Sequence, residues 1–84
     1  MRTLVTGAGG QVGLDLIRAL LEQGDEVHGS DLGPRPAAAA DLPADLPWHR
    51  LDVTDAEQVR ARFAELQPER VFHLAARMLS RSPS

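Results

Sequence analysis

Two rhythms of apolar and polar residues alternate along this chain. Thr3-Leu4-Val5-Thr6 is a short β-branched and apolar run that breaks at a cluster of glycines, the pattern of a buried strand feeding a tight turn. From Gln11 onward Val12, Leu16, Ile17, Leu20 and Leu21 recur at helical spacing while Asp15, Arg18 and Glu22 fall on other faces, which predicts an amphipathic helix. Gly24 sits just past the last turn, where a left-handed residue closes a helix without steric cost. Glu26-Val27-His28-Gly29-Ser30 has weak strand propensity. Its place after a strand, a turn and a helix makes it the return strand of a βαβ unit.

The stretch from Asp31 to Pro47 holds Pro34, Pro36, Pro43 and Pro47 and the alanine run Ala37 to Ala40, so an exposed loop with at most one helical turn is expected. Trp48 to Val53 reads as a third strand. Thr54-Asp55-Ala56-Glu57 has the spacing of a capping box, and Ala56, Val59, Phe63 and Leu66 line one face of the helix that follows, with Pro68 as its stop signal. Val71-Phe72-His73-Leu74 makes a fourth strand that runs into Ala75-Ala76. Strands alternating with crossovers imply a parallel sheet, and right-handed crossovers give the order 3-2-1-4. That is half of a doubly wound α/β sheet. The reversal between strands 1 and 4 opens a crevice at their carboxyl ends, where such sheets bind ligands.

At 84 residues one domain is expected, with bounds at 1–76 and an irregular tail over 77–84. Hydrophobic residues make up 43% against 25% charged, a globular balance. The net charge of -3 offers no basic stripe for phosphates, so no nucleic-acid partner is expected. The absence of cysteine excludes disulfides and thiolate metal sites and suits the cytoplasm. His28 and His49 have no carboxylate or histidine partner at ligand spacing, so no metal is expected. No apolar run is long enough for a signal peptide or a membrane span. All nine basic residues are arginine and tyrosine is absent, which removes Lys and Tyr chemistry from these residues.

The chemistry concentrates at Thr6-Gly7-Ala8-Gly9-Gly10-Gln11-Val12-Gly13, between a predicted strand and a predicted helix. Gly7 permits a sharp turn, Gly10 lets backbone approach a pyrophosphate, and Gly13 allows the helix to pack closely on the sheet. The free N–H groups of Gln11 and Val12 would point at the phosphates, aided by the helix dipole. A glycine-rich turn without a ligand is the competing account. Asp31 follows the second strand, where a carboxylate accepts from adenosine ribose hydroxyls and repels a 2′-phosphate. That favours NAD over NADP, unless Arg35 offsets the repulsion. Alternatively, Asp31 only starts a turn or caps a helix.

The spacing of Gly7, Gly10 and Gly13 resembles the T-G-x-x-G-x-x-G fingerprint of short-chain dehydrogenases, in particular their extended, epimerase/dehydratase-like branch. The resemblance runs from Leu4 to Ala76 and implies a partial Rossmann-type sheet that binds NAD. Asp52-Val53 resembles the family's Asp-Val/Ile pair beside adenine. The alternative is that Asp52 is a residue leading into the helix, stabilised by its dipole. His73-Leu74-Ala75-Ala76 resembles the family's H-x-A-A/G element, whose small residues let the chain pass close to the cofactor. Ordinary tight packing would also explain Ala75 and Ala76. His73 itself reads as a buried, hydrogen-bonded strand residue rather than a catalytic one.

In that family a Y-x-x-x-K pair transfers protons while nicotinamide exchanges hydride, with a Ser or Thr holding substrate. No catalytic residue can be assigned here, since neither Tyr nor Lys occurs. The sequence reads as a partial copy of a longer epimerase, dehydratase or dehydrogenase, inactive alone. Two other readings stay open: a non-catalytic NAD-binding or sensor module, and a nonfunctional remnant. An incomplete sheet would leave an exposed edge through which copies could associate. Arg77, Ser80, Arg81 and Ser82 receive no role.

Overall fold

The computed structural model describes residues 1–74. Ala75, Ala76 and the tail from 77 to 84 lie outside them. The first strand, β1, runs Arg2–Thr6 and is buried from Thr3 to Thr6, as a central strand must be. Helix α1 follows at Gln11–Glu22 and places Gly13, Leu14, Ile17 and Leu20 inward. Burying a Leu or Ile side chain stabilises by roughly 1.5–3 kcal/mol, so this stripe fixes which face of α1 meets the sheet. The helix ends at Gln23, and Gly24 adopts φ 87°, the left-handed closure its sequence position predicts.

Strand β2, Glu26–Asp31, returns parallel to β1 with Val5 opposite Gly29 and Thr6 opposite Ser30. A loop with one 3₁₀ turn at Ala37–Ala39 crosses to β3, Trp48–Arg50. Helix α2, Ala56–Leu66, then leads to β4, Arg70–His73, which pairs parallel with the other side of β1. The sheet order is β3-β2-β1-β4, as the crossover argument requires.

The core lies between the sheet and α1. It joins Val5, Ala8, Leu14, Ile17, Leu20 and Val27 with Ala39, Leu42 and Leu46 of the loop, and Trp48 and Phe72 pack at its margin. Leu42 and Leu46 explain how a proline-rich loop takes a fixed path. Arg35 ties the same loop together, donating to the carbonyl oxygens of Pro43, Ala39 and Leu42 at 2.7, 2.9 and 2.8 Å. Strand alternation turns Leu4, His28 and His73 to the opposite face, where the Phe63 ring of α2 stacks on His73.

Two local expectations fail here. The third strand ends at Arg50 instead of Val53, because the Asp52 carboxylate folds the chain over. Its Oδ1 accepts from the Thr54 backbone N–H at 2.9 Å and from Thr54 Oγ1 at 2.6 Å. Thr54 is thereby taken, and the cap of α2 falls to Asp55, whose Oδ1 accepts from the backbone N–H groups of Glu57 and Gln58. Either residue type can cap a helix, and the Asp52 turn decides between them. The far end of α2 closes at Gln67, which takes φ 48° without glycine.

Among the described residues, no helix is long and apolar enough to cross a membrane.

Candidate functional site at the glycine bend

All four strands are parallel, so Thr6, Asp31, Arg50 and His73 end at one edge of the sheet. Residues 7–13 bend from β1 into α1 at that edge. Gly7 makes the turn with φ 70°, a left-handed conformation that a Cβ disfavours. Ala8 is fully buried, and its N–H donates to the Ser30 carbonyl at 2.9 Å, which fastens the bend to β2.

The glycines differ in what surrounds them. A Cβ on Gly13 would lie 2.7 Å from Ala8 Cα and 2.8 Å from the carbonyl oxygens of Ala8 and Gly7. The close approach is therefore between α1 and the bend itself, rather than between α1 and the sheet as the sequence suggested. At Gly10, among the described residues and apart from the adjoining backbone, the nearest neighbour of an added Cβ is the Gly7 oxygen, 4.0 Å away. Space in front of Gly10 is open, and a side chain there would fill it.

Gly10 is the N-cap of α1, and no side chain caps that end. The first turn contains no acidic residue either. Helix geometry leaves the leading N–H groups without intrahelical partners, and the dipole makes this end attractive to anions. Gln11 turns its side-chain amide along the helix to Asp15 Oδ1 at 3.1 Å, so the residue offers backbone only. Val12 is 68% exposed. By contrast, α2 has Asp55 and Glu57 at its start and presents no such opening.

A cleft of about 370 Å³ opens here, lined by Gly7, Gly10, Gln11, Val12, Gly13, His73 and Leu74. It lies between the ends of β1 and β4, the crevice where strand order reverses. Leu74 is anchored by its N–H to the Thr6 carbonyl at 3.1 Å. His73 is exposed, which corrects the buried position expected for it. At an outer strand, only one of its sides is covered by packing. Its Nδ1 lies 3.4 Å from Thr6 Oγ1.

Asp31 is the last residue of β2 and stands beside the bend, outside the cleft lining. Its Oδ2 accepts from the Gly9 N–H at 2.8 Å and its Oδ1 from the Leu32 N–H at 2.7 Å. Gly9 is a site residue the sequence argument missed: a Cβ there would sit 2.6 Å from Asp31 Oδ2. A further glycine adjacent to Gly10 was the available signal. Arg35, considered as a partner for a 2′-phosphate, is instead committed to three loop carbonyls. Its position in the chain did not reveal those acceptors.

Asp52 and Val53 follow β3 and are not part of the cleft lining. They are tied to Asp31 through the preceding residue, since Leu51 N–H donates to the Asp31 carbonyl at 2.8 Å. The bonds from Thr54 hold the Asp52 carboxyl below its usual range. Ala75 and Ala76 lie outside the described residues. His28 and His49, expected to lack carboxylate and histidine partners, do have them: they bond to each other, and His28 bonds to Glu26. The pairing joins different strands, so sequence spacing could not disclose it.

A parallel β3-β2-β1-β4 sheet with an uncapped helix start at its switch point defines a doubly wound α/β sheet of the Rossmann type. The profile of the NAD dependent epimerase/dehydratase family matches residues 3–82, and the chain belongs to that family. It is 39% identical to a UDP-glucose 4-epimerase of Mycolicibacterium smegmatis over 82 residues, covering 93% of this chain and 26% of that protein. Among solved structures, the UDP-glucose 4-epimerase of Thermus thermophilus in complex with NAD is similar, with a TM-score of 0.74 and 36% identity. That match covers 88% of this chain and 24% of the other. The Bordetella bronchiseptica enzyme WbmG in complex with NAD gives a TM-score of 0.73 at 32% identity, over 87% of this chain and 24% of that one. The chain thus spans about a quarter of the length of these relatives.

Proposed function

We propose that residues 1–76 form the adenosine and pyrophosphate side of an NAD site belonging to an epimerase, dehydratase or dehydrogenase-type oxidoreductase. The observation that carries this reading is the uncapped start of α1 beside Gly10, where, among the described residues and apart from the adjoining backbone, no atom lies closer than 4.0 Å to a Cβ placed there. The backbone N–H groups of Gln11, Val12 and Gly13 receive the diphosphate, and Gly10 leaves it room. Leu74 lines the opposite side of the cleft, and it is assigned with Ala75 and Ala76 to cofactor contact. The Asp31 carboxylate keeps accepting capacity beyond its bonds to Gly9 and Leu32 and takes the ribose hydroxyls. Asp52 and Val53 meet the adenine. With Arg35 occupied by carbonyls, no guanidinium at that position offsets a 2′-phosphate, which favours NAD over NADP.

When bound, NAD supplies a hydride acceptor at its nicotinamide. These 84 residues contain no Tyr or Lys to move the accompanying proton, so alone they bind without turnover. The cysteine-free composition suits a reducing cytoplasm.

Titration calorimetry with NAD tests the site. Gly10→Val fills the space in front of α1 and abolishes heat of binding while the far-ultraviolet circular dichroism stays native. Unchanged affinity in Gly10→Val means the diphosphate does not sit at the bend.

A further inference from the structure

On the sheet face opposite α1, three titratable side chains form a row. Glu26 and His28 belong to β2 and His49 to β3. Glu26 Oε2 lies 2.8 Å from His28 Nε2, and His28 Nδ1 lies 3.0 Å from His49 Nε2. The two imidazole planes differ by 4°. The His28 side chain is 11% exposed while Glu26 is 54% exposed, so the row is sheltered at its middle member and open to water at Glu26.

The chemistry fixes its polarity. An ionised carboxylate only accepts, so His28 Nε2 carries the N–H that Glu26 receives. His28 Nδ1 is then a lone pair, and His49 Nε2–H donates to it. The tie adds a side-chain bond across the three-residue ladder that pairs β2 with the edge strand β3. We propose that Glu26, His28 and His49 form a proton-sensitive latch that holds β3 against β2 and releases it in acid.

Several charged groups face the latch. Arg62 and Glu65 of α2 stand near His49, and Arg2 of β1 donates to Glu26 Oε2 at 3.1 Å. Partial burial is the main influence on His49 and pushes its pKa down; Arg62 and His28 act in the same direction and Glu65 against it. The bond from His28, with Arg2 adding to it, lowers Glu26. Undocking β3 returns His49 to water, where it takes a proton at its ordinary affinity. A folded pKa below the free value means stability is complete above the ordinary histidine value of 6.5 and declines as pH falls beneath it. Should both rings become protonated, an N–H would stand on each side of the Nδ1···Nε2 contact, with no lone pair to accept.

Trp48, the single tryptophan, reports on β3 directly. Its ring covers Gly29, where a Cβ would lie 2.7 Å from ring carbons, and its Nε1–H donates to the Gly33 carbonyl at 3.2 Å. In the nucleotide-free chain, acidification from about pH 7.5 to about pH 5 shifts Trp48 emission to the red, reversibly. His49→Gln keeps a donor for His28 but does not titrate, and it reduces that shift by at least half. Constant emission in the wild type, or an equal shift at an equal midpoint in His49→Gln, overturns the latch. Should His49→Gln fail to fold, nitrogen NMR of the wild-type imidazoles decides. An Nε2–H tautomer on both rings at about pH 7.5 supports the latch, and any other pairing of tautomers overturns it.

Discussion

Gly13→Ala isolates the packing of α1 on its own bend. The new methyl carbon would meet three backbone atoms at 2.7 to 2.8 Å, and none belongs to a flexible side chain that can swing away. Either α1 or the bend has to move. Forcing a methyl group into a filled interior costs about 1–3 kcal/mol, while replacing glycine by alanine inside a helix returns at most about 1 kcal/mol. Because the contacts are to main chain on every side, the upper part of that range applies and a net loss of about 1–2 kcal/mol remains. For a domain of this size each kcal/mol lowers Tm by roughly 4–8 °C, so thermal melting followed by circular dichroism should fall by roughly 5–15 °C. Gly10→Ala is the control: among the described residues, and apart from the adjoining backbone, its methyl carbon meets nothing closer than 4.0 Å, and the loss should stay under about 1 kcal/mol. A Gly13→Ala protein that melts with the wild type would show that α1 does not rest on Gly7 and Ala8 as described.

Other contacts lend themselves to similar tests. Asp55→Ala should destabilise by about 1 kcal/mol in urea, more than Thr54→Ala, because the cap of α2 belongs to Asp55; the reverse ranking would return the cap to Thr54. Asp31→Ala should narrow the preference for NAD over NADP in calorimetric titrations, and an unaltered ratio would place specificity elsewhere. Arg35→Ala should lower Tm by loosening the loop around Leu42 while leaving that ratio unchanged; a gain in NADP discrimination would mean the guanidinium reaches the nucleotide after all.

Much of this architecture could be read from residue order. The strand at Leu4 and Val5, the stripe from Leu16 to Leu21 and the stop at Gly24 are local signals, and the sheet order follows once the crossovers are assumed right-handed. The bend was legible for the same reason: its glycines lie within one turn of chain. What could not be read were partnerships across distance. Gly9 meets Asp31, Gly29 makes way for Trp48, and His28 finds His49, each pair separated by about twenty residues and joined only after β2 returns. Arg35 looked like a free cation because its three carbonyl partners exist only when the loop has closed around it. Asp52 and Asp55 show a subtler failure, since both are good turn formers and only the bonds to Thr54 separate their roles.

The shortness of the outer strand β3 limits what another strand could pair with along this flank. Pro47 precedes it and lends its carbonyl oxygen to the Gly29 N–H, and Leu51 N–H donates to the Asp31 carbonyl, so these residues face β2 and, by alternation, the backbone groups of Trp48 and Arg50 face outward. A foreign strand drifting alongside would find a template only three residues long, with outward backbone groups at Trp48 and Arg50. Lengthening β3 would enlarge that template and invite ribbon-like growth along this flank.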